Sequence, residues 1–124
     1  MTTWTSDELD KIGGAEELRI ASLRRDGTLR EPVTIWVVRL GNDLYVRSAY
    51  GRTAAWFRGT QVRHEGRLDA GGIEKDVAYT DPDPAALDQI DTAYRNKYHR
   101  HGVRYINAVT DAEARSTTIK LVPR

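Results

Sequence analysis

Two arginines, a serine and a glycine fall within six residues of the stretch LYVRSAYGRTAAWFRG, residues 44 to 59: Arg47, Ser48, Gly51 and Arg52. Guanidinium forks and a hydroxyl are donors suited to phosphate oxygens, and a glycine turn lets the backbone approach an anion closely. Trp56 and Phe57 follow at once and place apolar surface beside the charge. A plainer reading makes Tyr45, Val46, Trp56 and Phe57 core and leaves both arginines solvated. Later in the chain, Lys97 lies one residue from Tyr98 and one turn from Tyr94. Its amine could contact an anion or a substrate, or it could snorkel to water over a packed stem. Tyr94, Tyr98 and Tyr105 could donate protons in a pocket or pack a subunit interface.

Other chemistries find less support. His64 falls in a predicted strand, and His99 and His101 stand two apart at a helix end, a spacing that does not put two imidazoles on one helical face, so no metal site is expected. Imidazolium at that position complements the helix dipole. Glu65, Asp69, Glu74 and Asp76 are spaced as surface charge along predicted strands. No nucleophile triad has a local signature, and the absence of cysteine excludes thiolate chemistry.

The 124 residues suffice for one domain, 1 to 124, with one core. Hydrophobic residues at 40% and charged residues at 30% describe an ordinary globular chain with no long apolar run, which argues against a membrane partner. Nineteen basic and eighteen acidic residues are interspersed, so there is no basic stripe for nucleic acid. The acidic start, MTTWTSDELD, has no apolar signal core, and a cytoplasmic location is expected.

The elements that must position these residues follow from pattern. Residues 5 to 12 predict a short helix capped by Ser6 or Asp7 and stopped at Gly13 and Gly14, with Trp4 stapling it to the body. Residues 17 to 24 and 32 to 40 predict a hairpin across Asp26-Gly27. In the second strand Val33, Ile35 and Val37 point one way while Thr34, Trp36, Val38 and Leu40 point the other. Apolar character on both faces requires a barrel interior on one side and a helix or partner subunit on the other, so a homodimer is expected. Gly41-Asn42-Asp43 turns the chain into Leu44 to Ser48, completing a meander. A helical turn at 53 to 58 and a more exposed hairpin of residues 61 to 68 and 73 to 79 follow. Asp81-Pro82-Asp83-Pro84 opens the one long helix, on which Ala86, Leu87, Ile90, Ala93, Tyr94, Lys97 and Tyr98 share a face. Gly102 ends it, a helical piece covers Tyr105 to Ala114, and STTIKLV is a closing strand.

This order is that of a mainly β, α+β chain: a small split β-barrel of about six antiparallel strands with one long helix near the C-terminus. The stretch DGTLREPVTIWVVRLGNDLYVRSAYGRTAAWFRG, with GRL, AYRNKY and TTIKLVP after it, resembles an uncharacterised family of small bacterial proteins in the flavin- and deazaflavin-binding split-barrel superfamily. That superfamily includes pyridoxamine-phosphate oxidase and the deazaflavin-dependent nitroreductases. The resemblance implies a flavin- or deazaflavin-dependent oxidoreductase, with FMN or a deazaflavin as cofactor and a small organic molecule as substrate. It also implies that Arg47, Ser48, Gly51 and Arg52 approach the cofactor phosphate, that Val33, Thr34 and Trp36 seat the ring, and that Trp56 covers it. The turn before the second strand departs from the deazaflavin branch, which has a Thr-Gly-Arg-rich sequence there; this chain has Asp26-Gly27-Thr28 and then Arg30.

Two rival readings stand beside this one. A barrel without a flavin could use the same cleft as a cyclase, an isomerase or a ligand-binding module; a barrel whose cleft is filled by Trp36, Trp56 and the helix tyrosines would be purely structural. What separates the first two is whether Arg47 and Arg52 turn inward together, which strand alternation does not decide.

Overall fold

A computed structural model describes residues 3 to 124; Met1 and Thr2, the start of the segment read for a signal, lie outside the described residues. Helix α1 (Ser6–Gly13) is capped by Thr5 rather than by Ser6 or Asp7, because the Thr5 hydroxyl accepts from the Glu8 amide while the Glu8 carboxylate accepts from the Thr5 amide. Trp4 is buried and donates its indole N–H to the Leu121 carbonyl at 3.0 Å, so the expected staple is present.

Seven strand segments form one antiparallel sheet: β1 (Leu18–Ser22), β2 (Val33–Ile35), β3 (Val38–Leu40), β4 (Asp43–Val46), β5 (Glu65–Ala70), β6 (Ile73–Thr80) and β7 (Ile119–Pro123). Their order is β2-β1-β5-β6-β7-β4-β3. The two edges of this order, β2 and β3, are consecutive pieces of one stretch separated only by Trp36 and Val37, so a single bent strand joins both edges and curls the sheet round on itself. Six strand tracts therefore make the split barrel, with β7 seated between β6 and β4 as the closing strand.

The predicted strand 32 to 40 is thus two short strands. Its alternation survives the break. Val33, Ile35 and Val37 pack on the barrel interior with Leu18, Ile20, Leu44, Leu68, Val77 and Leu121, while Trp36, Val38 and Leu40 pack on the opposite layer. That layer is covered by α3 (Leu87–Tyr98) and α4 (Val103–Thr110), through Ile90, Tyr94, Tyr98, Ile106 and Val109. A helix of the same chain therefore covers most of the outer face that had argued for a partner subunit; Thr34 is the exposed position.

Three boundaries differ from expectation. Residues 61 to 64 extend helix α2 (Ala55–Arg63) and its cap, and the following strand starts at Glu65. His64 is that cap, in the left-handed region at φ 57, and not a strand residue. The hairpin β5-β6 is central in the sheet, and its inward positions Leu68 and Val77 are fully buried, so it is less exposed than its charged pattern suggested. The helical piece after Gly102 is two helices, α4 and α5 (Ala112–Ser116), with Asp111 capping the second through the Ala114 amide at 2.8 Å.

Candidate functional site

The end of β4 brings the predicted phosphate residues to a junction with the C-terminal segment, and the structure gives each a different surrounding. Arg47 points into the layer beneath α3, and its side chain has no exposed surface. Its Nη1 pairs with Asp91 and donates to the Val109 carbonyl at 2.9 Å; Nε donates to Thr118 Oγ1 at 2.9 Å and Nη2 to the Leu87 carbonyl at 3.2 Å. Four acceptors from α3, α4 and the approach to β7 hold this guanidinium, and its carbon lies 5.5 Å from the Tyr94 ring centroid. Asp91 also accepts from Arg115 at 2.5 Å, and Arg115 reaches Asp88 at 2.9 Å. Arg47 and Arg52 do not turn inward together.

Ser48 donates its amide to Thr117 Oγ1 at 2.9 Å, while its own hydroxyl is buried with no hydrogen-bond partner among the described residues. Gly51 has φ 75, and a Cβ there would overlap the Glu113 carboxylate, so α5 sits directly on this turn. Arg52 is exposed, donates to the Ser116 carbonyl at 2.9 Å, stacks over Phe57 at 5.3 Å, and pairs with no carboxylate among the described residues. Shortly after it, α2 begins at Ala55 with Ala54 as N-cap, so no side chain at the cap accepts from its first amides. Trp56, half-buried in that first turn, packs against the barrel interior edge-on to Phe57 at 6.3 Å.

The residues predicted to seat a ring divide between two layers. Val33 joins Trp56 on the interior cluster, and Thr34 is exposed. Trp36 lies in the outer layer, stacked on Tyr98 with ring centroids 4.0 Å apart and planes within 3°. A cavity of about 250 Å³ unites Trp36 with Arg47, Ala49, Tyr105, Ala108 and Val109. Exposed Tyr50, Val103 and Tyr105 extend apolar surface around α4 and the β4 loop.

Tyr98 has a backbone task. Its hydroxyl accepts from the Val37 amide at 3.1 Å and lies 2.7 Å from the Glu16 carbonyl and 3.0 Å from the Val37 carbonyl, so it satisfies the strand where β2 breaks into β3. Burial pushes its phenol pKa well up, as it does for Tyr94, whose hydroxyl has no partner among the described residues. Lys97 donates to the Gly13 and Val37 carbonyls at 2.9 and 2.7 Å, and burial pushes its amine down to about 8. Tyr94, Tyr98 and Lys97 thus share a face of α3 as expected, but Lys97 alone of the three borders the groove between α3 and β3. Two charged residues of this region escaped the sequence reading, Asp91 and Arg115. The available signal was an acid inside the apolar stripe of α3, one turn from both Leu87 and Tyr94.

A curled antiparallel sheet with its edges joined by one bent strand, and helices over the outer layer, defines the split β-barrel class of folds. Within it, the chain belongs to the bacterial family DUF2255, described as an uncharacterized protein conserved in bacteria, whose pattern spans residues 8–121. Similar solved structures include a conserved hypothetical protein, Rv2991, from Mycobacterium tuberculosis, with TM-score 0.65 at 8% identity over 98% of this chain and 80% of that one. An F420-H2 dependent reductase, FDR-A, gives TM-score 0.62 at 10% identity over 88% of this chain and 94% of that one. A FAD-binding protein from Mesorhizobium loti gives TM-score 0.52 at 14% identity over 98% and 89%. These likenesses establish the fold. No curated protein matches the sequence.

Proposed function

We propose that this protein is a flavin- or deazaflavin-dependent oxidoreductase that acts, as a homodimer, on a small organic molecule. The observation that carries this reading is the likeness of nearly the whole chain to the folds of an F420-H2 dependent reductase and a FAD-binding protein. A bound flavin-type group supplies hydride chemistry; the chain's own residues bind it, orient it and exclude water. Arg52 is the cation we assign to its phosphate, supported by its exposure and by its having no carboxylate partner among the described residues. Gly51 and Ser48 shape the loop that carries Arg52: Glu113 occupies the space over Gly51, and the Ser48 hydroxyl is buried beneath the strand end. Arg47 positions this loop from behind, through Asp91, instead of meeting the phosphate. Trp56 flanks the phosphate end, Val33 and Thr34 offer a strand surface to the ring, and Trp36 lines the apolar cavity on the other layer. Tyr50, Val103 and Tyr105 are the apolar surface we assign to the second subunit.

The test is the absorption spectrum of the purified protein, then titration with FMN, FAD and the deazaflavin F420, followed by fluorescence and melting temperature. Low-micromolar or tighter binding of one of them supports the reading and selects the cofactor. Absence of binding or thermal stabilisation by any of them refutes it.

A second reading has its own support. Glu113 fills the space over Gly51 and the Arg47 guanidinium is fully engaged, so the loop after β4 is closed by the chain's own α5. On this reading the barrel holds no flavin, and the cavity at Trp36 and Tyr105 takes another small molecule, as a cyclase, an isomerase or a binding module would.

A further inference from the structure

The chain has four lysines, and three of them face a carboxylate. Lys11 lies 3.2 Å from Asp7, Lys75 2.7 Å from Glu8 and Lys120 3.7 Å from Asp43. Lys97 faces none within 4 Å among the described residues; its Nζ contacts are the Gly13 and Val37 carbonyls. A neutral amine carries two N–H bonds and one lone pair. Two carbonyl acceptors at 2.9 and 2.7 Å take both N–H bonds and leave the lone pair directed away from them.

Lys97 also lines an open groove of about 670 Å³ between α3 and β3. Val38, Leu40 and Ala93 supply apolar wall, and Thr92 and Asn96 supply a hydroxyl and an amide. The two carbonyls and the Tyr98 ring face favour the charged amine, and burial works against it. Burial is the largest influence and lowers its pKa; Glu16 opposes it and Arg100 adds to it, with a result of about 8. The Tyr98 ring, 5.0 Å from Nζ, closes the inner side.

We propose that Lys97 is a nucleophilic amine that condenses reversibly with a small aldehyde or ketone seated in this groove. Its lone pair adds to the carbonyl carbon, one amine proton passes to the carbonyl oxygen to give a carbinolamine, and loss of water with the remaining amine proton gives the imine. No oxidant or reductant is consumed.

The test treats the native protein at pH 7.5 with propionaldehyde and cyanoborohydride, which reduces any imine to a stable secondary amine, and maps modified lysines by mass spectrometry over time. Lys11, Lys75 and Lys120 are controls within the same molecule. Lys97 should be labelled about ten-fold faster than each, because its larger free-amine fraction outweighs its lower basicity, and the advantage should fade as the pH approaches about 10 and the others deprotonate. Lys97→Arg should remove label from that peptide and leave the other three rates unchanged. Labelling of Lys97 no faster than the controls overturns the proposal, as does labelling that appears only after unfolding in urea.

Discussion

Replacing Asp91 by Asn tests whether the fully buried Arg47 is a structural strut. Asn keeps the size of Asp91 and one acceptor oxygen, but it removes the only carboxylate that pairs with Arg47 among the described residues. The Arg47 side chain has no exposed surface, so the charge left behind cannot be hydrated; its contacts with the Val109 and Leu87 carbonyls and with Thr118 are neutral. Breaking a buried pair from one side costs about 3 to 5 kcal/mol. Arg115, the second cation on Asp91, keeps Asp88 and adds little to the loss. For a chain of this length the change corresponds to a melting temperature lower by roughly 10 to 20 °C. Urea unfolding of wild type and Asp91→Asn should show a lower midpoint at an unchanged slope. Arg47→Met with Asp91→Leu, which removes both charges together, should recover most of the loss, since an apolar replacement of a buried pair is often neutral. A cost below about 1 kcal/mol for Asp91→Asn would refute the strut and return Arg47 to the candidates for ligand contact.

Arg52→Ala should weaken binding of whichever flavin the titration selects by about ten-fold, the scale of one charge-assisted contact, and leave the melting temperature within a few degrees; unchanged affinity measured by fluorescence would remove Arg52 from the phosphate site. Gly66→Ala should destabilise strongly, because a Cβ there would overlap the Tyr79 hydroxyl and the Ala21 carbonyl in the middle of the sheet; the check is the urea midpoint, with loss of soluble protein as the extreme outcome. His64→Gly should raise stability by about 0.5 to 1 kcal/mol, since glycine adopts the left-handed cap of α2 without steric cost. Burial pushes the Lys97 amine from its ordinary 10.5 down to about 8, so between these the unfolded chain binds more protons and stability should rise with pH across roughly 8 to 10.5. Lys97→Met should flatten that rise, read from urea midpoints at pH 7.5, 8.5 and 9.5.

The fold was legible in the sequence because its signals are local. Asp26-Gly27 and Gly41-Asn42-Asp43 each mark a hairpin that forms, the turn expected around Asp69 to Gly72 narrows to Gly71-Gly72, and the three- and four-residue spacing from Leu87 to Tyr98 marks the helix that covers the outer layer. Even the two-faced pattern of residues 33 to 40 was read correctly as interior on one side and cover on the other. What no local pattern carries is the break between Ile35 and Val38. Its backbone is satisfied by the Tyr98 hydroxyl and the Lys97 amine, sixty residues away in sequence, so only the tertiary fold reveals that this strand belongs to both edges of the sheet.

The site was harder for the same reason, and Arg47 shows why. An arginine at a strand end next to a serine and a glycine has the composition of an anion cradle, and one-residue alternation decides whether it faces solvent or the covering helix. The deciding residue was on the other element. Charge is expensive on a buried face, so Arg47 among Leu44, Tyr45 and Val46, and Asp91 within the stripe Leu87, Ile90, Tyr94, are each anomalous alone and consistent as a pair. Two opposite charges lodged in two apolar elements therefore identify a bond between those elements before they identify a ligand. Applied here, that rule removes Arg47 from direct phosphate contact and makes it the fixed post behind the loop. Arg52 then becomes the residue on which the phosphate assignment stands or falls.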